Sequence, residues 1–326
     1  MRRRDFVQIL VGSTLSWPLS ARAERPAKVH HIGFLGSTSR SEYADRVEAM
    51  LKGLYQLGYV EGKNIVIHYK WADGRYDLLS DFAAELVRLK VDVILTYGTP
   101  GTRAAMAATR NIPIVVILVG DLLSPGLVPS LARPGGNLTG QTFFFAEICA
   151  KRVELINEAV PGMTRVAALF NPANPSHQMA LAAMKLTAQS LRLELLPVEA
   201  RARDELGNAF ASMRGKQVHA LVLLDDPFLN SNAKYITELA LKSRIPAIGE
   251  KSHAAAGGVM AYGADIHHLW FHSATLVDRI LKGAKPADLP IQQATKFELI
   301  INLKSARALG LDIPPALLAR ADVVIE

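Results

Sequence analysis

Short runs of β-branched and apolar residues recur along this chain, each followed by a longer segment whose apolar positions fall at helical spacing. That alternation leaves few folds open. The runs are VHHIGFL (29–35), NIVIHYKW (64–71), VDVILTY (91–97), IPIVVILV (112–119), RVAALF (165–170), LELLPVE (193–199), HALVLL (219–224), IPAIG (245–249) and GVMAY (258–262). In SEYADRVEAMLKGLYQLG, between the first two, Val47, Met50, Leu51, Leu54 and Leu57 share one helical face and Gly58 supplies the stop. Near-continuous apolar strands separated by amphipathic helices predict parallel sheets covered on both faces. The pattern occurs twice, from Val29 to about Val119 and again from Arg165 to about Tyr262. The expected fold class is therefore α/β, with two Rossmann-like doubly wound lobes. The Pro- and Gly-rich stretch SPGLVPSLARPGGNLTG (124–140) is the expected first crossing. The boundaries read as 28–141 plus about 264–290 for lobe 1 and 142–263 for lobe 2, with 291–326 crossing back between them.

Two such lobes need a large core, and 326 residues, 50% of them apolar and 21% charged, provide one. The formal charge of +7 overstates how basic the body of the chain is, because Arg2, Arg3, Arg4 and Arg22 against Asp5 all fall in the first 23 residues. The rest holds 33 basic and 29 acidic side chains, a net of +4, with no basic block, so no nucleic acid partner is expected. The single cysteine, Cys149, has no disulfide partner and no metal or catalytic signature; it reads as packing.

The opening MRRRDFVQILVGSTLSWPLSARA has a basic start, a modest apolar stretch from Phe6 to Leu19 and a small-residue ending at Ala21-Arg22-Ala23. This is the layout of an export signal peptide, with cleavage expected after Ala23. Arg3-Arg4-Asp5-Phe6-Val7 resembles a twin-arginine signal, the alternative being an ordinary secretory one. No cysteine stands directly after the cleavage point and no second apolar run reaches about 18 residues, so a periplasmic protein without lipid or transmembrane anchor is expected.

In open α/β sheets, ligands bind beyond the carboxyl ends of the strands. There the chain places Gly36-Ser37-Thr38-Ser39 after the first run, Gly98-Thr99-Pro100-Gly101-Thr102 after the third and Gly120-Asp121 after the fourth. Asn171-Pro172-Ala173-Asn174 follows the fifth, Asp225-Asp226-Pro227 the seventh, and Tyr262-Gly263 closes the ninth. The loop at 98–102 feeds a helix N-terminus, whose free N–H groups and positive dipole end favour an anion: a phosphate, a nucleotide or a carboxylate. It lacks the lysine of a phosphate loop. The chain has no G-x-G-x-x-G after its first run, no G-x-x-x-x-G-K-[ST], no G-x-S-x-G and no H-E-x-x-H. No cofactor, metal or catalytic residue is therefore expected. Asp265, His267, His268 and His272 come nearest to a metal cluster, and they read as a solvated helix surface.

The blocks GFLGS, YGTPGT, GLVPSLARPGGNLTG, RVAALFNPANP and FELIINLKSARALGLDIPPALLARAD, behind an export signal, resemble the ABC transporter substrate-binding protein family that includes tryptophan- and phenylalanine-binding members. The resemblance runs over essentially the whole chain after residue 23. It implies a type I periplasmic binding fold that closes like a hinge on a ligand and hands it to ABC permease subunits in the membrane, without chemistry of its own. It implies Ser37, Thr38, Gly98 and Thr99 as donors to a ligand carboxylate, opposed by Asn171 and Asp226 from lobe 2. Asp121 or Asp226 would face an ammonium group, and Tyr97 and Tyr262 would be walls. The implied ligand is a small carboxylate, either an amino acid, aromatic or not, or a related organic acid. The alternatives are an exported Rossmann-like enzyme using Asp225, Asp226 or a histidine as base, and a ligand-sensing subunit of a membrane receptor.

Overall fold

In the computed structural model, which describes residues 28–120, 122–123 and 127–326, every one of those apolar runs becomes a strand. The expected signal at 1–23 and the candidate Asp121 lie outside the described residues. Lobe 1 is built from β1 (His30–Gly36), α1 (Ala44–Gln56), β2 (Ile65–Trp71), α2 (Leu79–Arg88), β3 (Val93–Thr96), α3 (Gly98–Ala108), β4 (Ile114–Val119) and β5 (Leu138–Thr142). Lobe 2 follows with α4 (Phe145–Ala159), β6 (Arg165–Phe170), α5 (His177–Ser190), β7 (Glu194–Glu199), α6 (Glu205–Gly215), β8 (Ala220–Leu223), α7 (Pro227–Ser231), α8 (Ala233–Lys242), β9 (Ala247–Gly249), α9 (Lys251–Ala255) and β10 (Met260–Ala264). The chain then returns to lobe 1 as α10 (Ile266–Leu281) and β11 (Gln292–Gln293). It ends in lobe 2 with β12 (Phe297–Asn302), α11 (Leu303–Leu309), α12 (Pro315–Leu318) and β13 (Val323–Ile325).

The sheets run β11-β5-β4-β3-β1-β2 and β13-β12-β10-β9-β8-β6-β7. Pairing is parallel except between β10 and β12. Each sheet reverses its winding once, between β1 and β3 in lobe 1 and between β6 and β8 in lobe 2. A crevice forms at such a reversal, outside the carboxyl ends of the strands. The two crevices face each other, which brings together loops distant in sequence.

Packing follows the apolar pattern. β3 is buried along its whole length, and α1 turns Val47, Met50 and Leu54 inward against α10. Gly53 permits that close approach, since a Cβ there would lie 2.3 Å from the carbonyl oxygen of Phe271. β5 was not legible as a strand because LTGQT is polar, yet all of it is buried. Its polar side chains hydrogen-bond to carbonyls: Thr139 Oγ1 to Leu289 at 2.9 Å, Gln141 Nε2 to Ile117 and Leu269 at 2.9 and 2.7 Å, and Thr142 Oγ1 to Val119 at 2.9 Å. Such partners remove most of the cost of burying polar groups. After β11 the chain passes from the first sheet to the second, where β12 covers what would otherwise be the open edge of β10.

Candidate functional site

The polar run 98–102, read from sequence as a loop, is the first turn of α3. Gly98, the first residue of α3, adopts φ +72°, a left-handed value that suits glycine. A Cβ at Gly98 would also press to 3.1 Å from Pro227 Cγ of lobe 2, so the missing side chain lets the lobes meet. Tyr97, at the N-cap, makes no side-chain hydrogen bond to the first turn, which leaves N–H groups and the positive dipole end of α3 open to an anion.

The cleft encloses about 530 Å³, its mouth included. Lobe 1 lines it with Tyr43, Arg46, Tyr97, Gly98, Thr99 and Trp270; lobe 2 faces these with Asn174, Ser176, Asp226, Asn230 and Glu250. Tyr43 stacks on Tyr97 at 4.8 Å, and Trp270 packs against both, at 5.8 and 5.2 Å. The Tyr97 hydroxyl is held from behind by Thr38, through the backbone N–H at 3.2 Å and Oγ1 at 2.8 Å. Burial pushes the Tyr97 phenol above its usual range, with the Thr38 hydrogen bonds opposing it, so the hydroxyl stays protonated.

Contacts cross the cleft directly. Thr99 Oγ1 and Ser176 Oγ lie 3.1 Å apart. Arg46, whose guanidinium sits 4.3 Å over the Tyr43 ring, forms a buried ion pair with Glu250. Burial alone would raise the Glu250 carboxyl; the Arg46 charge, then that of His253, and hydrogen bonds from Ser252 and Arg46 hold it below the usual carboxylate range. Asp226 caps α7, accepting from Phe228 N at 3.0 Å and Leu229 N at 3.3 Å, and also takes Asn174 Nδ2 at 2.9 Å and the Tyr76 hydroxyl at 3.0 Å. It is buried, and no cation among the described residues pairs with it. Its neighbour Asp225 is neutralised by a two-pronged contact with buried Arg152, at 2.8 and 3.1 Å.

A family model described as "ABC transporter substrate binding protein" matches residues 34–325. The chain belongs to that family. Among its relatives is the tyrosine-binding protein of Clostridioides difficile strain R20291, 26% identical over 81% of this chain and 76% of that one. A crystal structure of a conserved domain protein from Vibrio cholerae is 28% identical and superposes with a TM-score of 0.85 over 91% of this chain and all of that one. An ABC domain from Streptococcus pneumonia in complex with L-Trp, 24% identical, has the same fold, with a TM-score of 0.84 over 91% of this chain and all of that one. Among the described residues no helix is long and apolar enough to cross a membrane, and no group of three or more His, Cys, Asp or Glu could hold a metal ion.

Within this substrate-binding protein, Gly98, Thr99, Tyr97 and Asp226 of the expected site line the cleft together. Thr38 stands behind Tyr97, and Ser37 is buried beside it with its hydroxyl unpartnered, neither lining the cavity. Asn171 does not line the cavity but stands behind Asp226: its Nδ2 donates to Asp226 Oδ1 at 3.4 Å, and its Oδ1 accepts from Ala173 N at 3.0 Å. The Tyr262 ring stacks on Phe297 away from the cleft, and its carbonyl accepts from Arg152 Nε at 2.8 Å. Sequence reading missed Tyr43, Arg46, Trp270 and Glu250. A signal did exist for Arg46: at helical spacing it falls between Tyr43 and Met50, a charge on a face otherwise apolar.

Proposed function

We propose that this protein is the extracytoplasmic binding subunit of an ABC importer, that it captures an amino acid with an aromatic side chain, and that it delivers this solute to a membrane permease. The observation that carries the reading is the opposite character of the two cleft faces. Lobe 1 offers the open N-terminus of α3 and the Thr99 hydroxyl, a set suited to a carboxylate, beside an Arg46 that Glu250 already pairs. Lobe 2 offers Asp226, a buried carboxylate without a cation, and Asn230, whose buried Oδ1 has no hydrogen-bond partner. These acceptors suit an ammonium group. An aromatic side chain fits the wall of Tyr43, Tyr97 and Trp270. The tyrosine-binding relative and the L-Trp complex give the same direction. The arginine-rich opening supports export and release into the periplasm.

The test is a thermal-shift screen of residues 24–326 against the twenty amino acids and a set of aromatic and aliphatic acids. At about 100 times its dissociation constant a ligand stabilises the folded form by about 2.7 kcal/mol, enough to move the melting temperature. Aromatic amino acids are expected to give the largest shifts. No shift with any amino acid would overturn the reading, and turnover of a panel member would favour an exported enzyme.

A further inference from the structure

The side chains that bridge the cleft differ in where they stand. Arg46 with Glu250, and Thr99 with Ser176, are residues of the cavity lining, so any change in them alters the ligand's surroundings as well as the closure. Tyr76 is different. It belongs to lobe 1, in a 3₁₀ turn (Tyr76–Leu78) between β2 and α2, and it does not line the cavity. The turn is tied to the β1 end of its own lobe, with Ala72 N on Gly36 O and Gly74 N on Ser37 O, both at 2.9 Å. From there the Tyr76 hydroxyl donates to Asp226 Oδ1 of lobe 2 at 3.0 Å and accepts from Phe228 N at 3.2 Å. Its ring packs against the apolar cluster of lobe 1 around Leu79 and also against that of lobe 2 around Phe210 and Phe228. A hinge opening that separates the lobes must break both the hydrogen bonds and the second packing contact.

We propose that Tyr76 is the latch of the closed cleft: from outside the cavity, through Asp226, it sets how long a solute is held without selecting the solute's side chain. The proposal rests on the solute-binding reading above for its ligand arm, and on geometry alone for its hinge arm. Lobe 2 does not need Tyr76 for its own integrity, because Phe228 N still reaches Asp226 Oδ1 at 3.0 Å when the phenol oxygen is removed. Burial, followed by the Asp226 charge, raises the Tyr76 phenol well above its usual range, so the donor persists at neutral and alkaline pH.

In the ligand arm, L-tyrosine is the probe and Tyr76→Phe the variant. Loss of one net hydrogen bond in the closed form is expected to speed dissociation and raise Kd by about threefold to tenfold. The ratio of L-tyrosine to L-phenylalanine affinity should stay at the wild-type value. An unchanged dissociation rate, or a changed ratio, overturns the latch. The hinge arm uses no ligand. Nitroxide labels at Lys52→Cys and Glu238→Cys sit on exposed positions of opposite lobes, while native Cys149 is buried. The otherwise unchanged chain is expected to show a short inter-label population beside a longer one, and Tyr76→Ala should deplete the short one. Identical distance distributions overturn the latch. If no amino acid binds the wild type but Tyr76→Ala still shifts the distances, the solute reading fails and the latch stands.

Discussion

The two walls of the cleft are built on opposite principles. The lobe 1 wall is an aromatic stack, Tyr43 on Tyr97 with Trp270 behind, continuous with the apolar cluster that holds β1, α1 and α10 together. The lobe 2 wall is polar: Asp226, Asn174 and Ser176 form one network, with Asp226 capping α7, and Glu250 is held separately by the Ser252 hydroxyl. An apolar wall draws its shape from packing and resists loss of volume. A polar wall draws its shape from mutual hydrogen bonds and resists loss of a charge or a proton partner. Changes in lobe 1 should therefore be felt first as stability, and changes in lobe 2 as affinity and pH dependence.

The largest effect is expected from Trp270→Ala. Trp270 is fully buried in the lobe 1 cluster, and emptying that volume should cost about 3–5 kcal/mol in urea unfolding. A loss under about 1 kcal/mol would mean that the wall is not part of the core. Asp226→Asn comes next: asparagine can still cap α7 through its oxygen, but its amide NH2 then faces the Asn174 Nδ2 donor, so some stability goes with the affinity. Amino acid affinity should fall by about 2–3 kcal/mol, read by calorimetry, and the protein alone should lose about 1–2 kcal/mol of stability. Equal affinity in the variant would remove Asp226 as the ammonium partner.

The pH dependence should also separate the lobes. Among the described residues the fully buried histidines are His177 and His253, both in lobe 2. Burial lowers each, His253 to about 4, against the modest opposing pull of Glu250 on the latter. A histidine whose folded value is depressed binds fewer protons when folded, so its contribution is complete above about 6.5 and declines as pH falls toward about 4. Unfolding free energy should fall by up to about 1.4 kcal/mol per pH unit across that window from His253 alone, and His253→Phe should flatten the slope. A slope unaffected by that substitution would place the acid sensitivity elsewhere. The smallest effect is Tyr97→Phe, which removes the Thr38 hydrogen bonds behind the wall and should cost about 1 kcal/mol of stability.

The same contrast explains what could be read from sequence. Strands β3, β4, β6, β8 and β9 were legible because they are buried almost throughout and correspondingly apolar, whereas β5 hides in polar letters whose partners are carbonyls far along the chain. Gly98, Thr99 and Asp226 were legible because strand ends next to the reversal point must reach the crevice. Thr38 occupies such a strand end too, but the phenol of Tyr97, 59 residues away, takes its hydroxyl, and no local pattern announces that pairing. Arg46 and Glu250 become site residues only through each other, across 204 residues. Their partnership depends on how the lobes meet.

The proposed division of labour, carboxylate to lobe 1 and ammonium to lobe 2, is tested most directly by calorimetric titration of residues 24–326 with L-tyrosine, tyramine and 3-(4-hydroxyphenyl)propanoate. These share a side chain and differ only in which charged end is present. L-tyrosine is expected to bind at least about 100-fold tighter than either truncated compound, since each truncation leaves one buried polar set without its partner. Equal binding of the zwitterion and either fragment would contradict the assignment of the two faces.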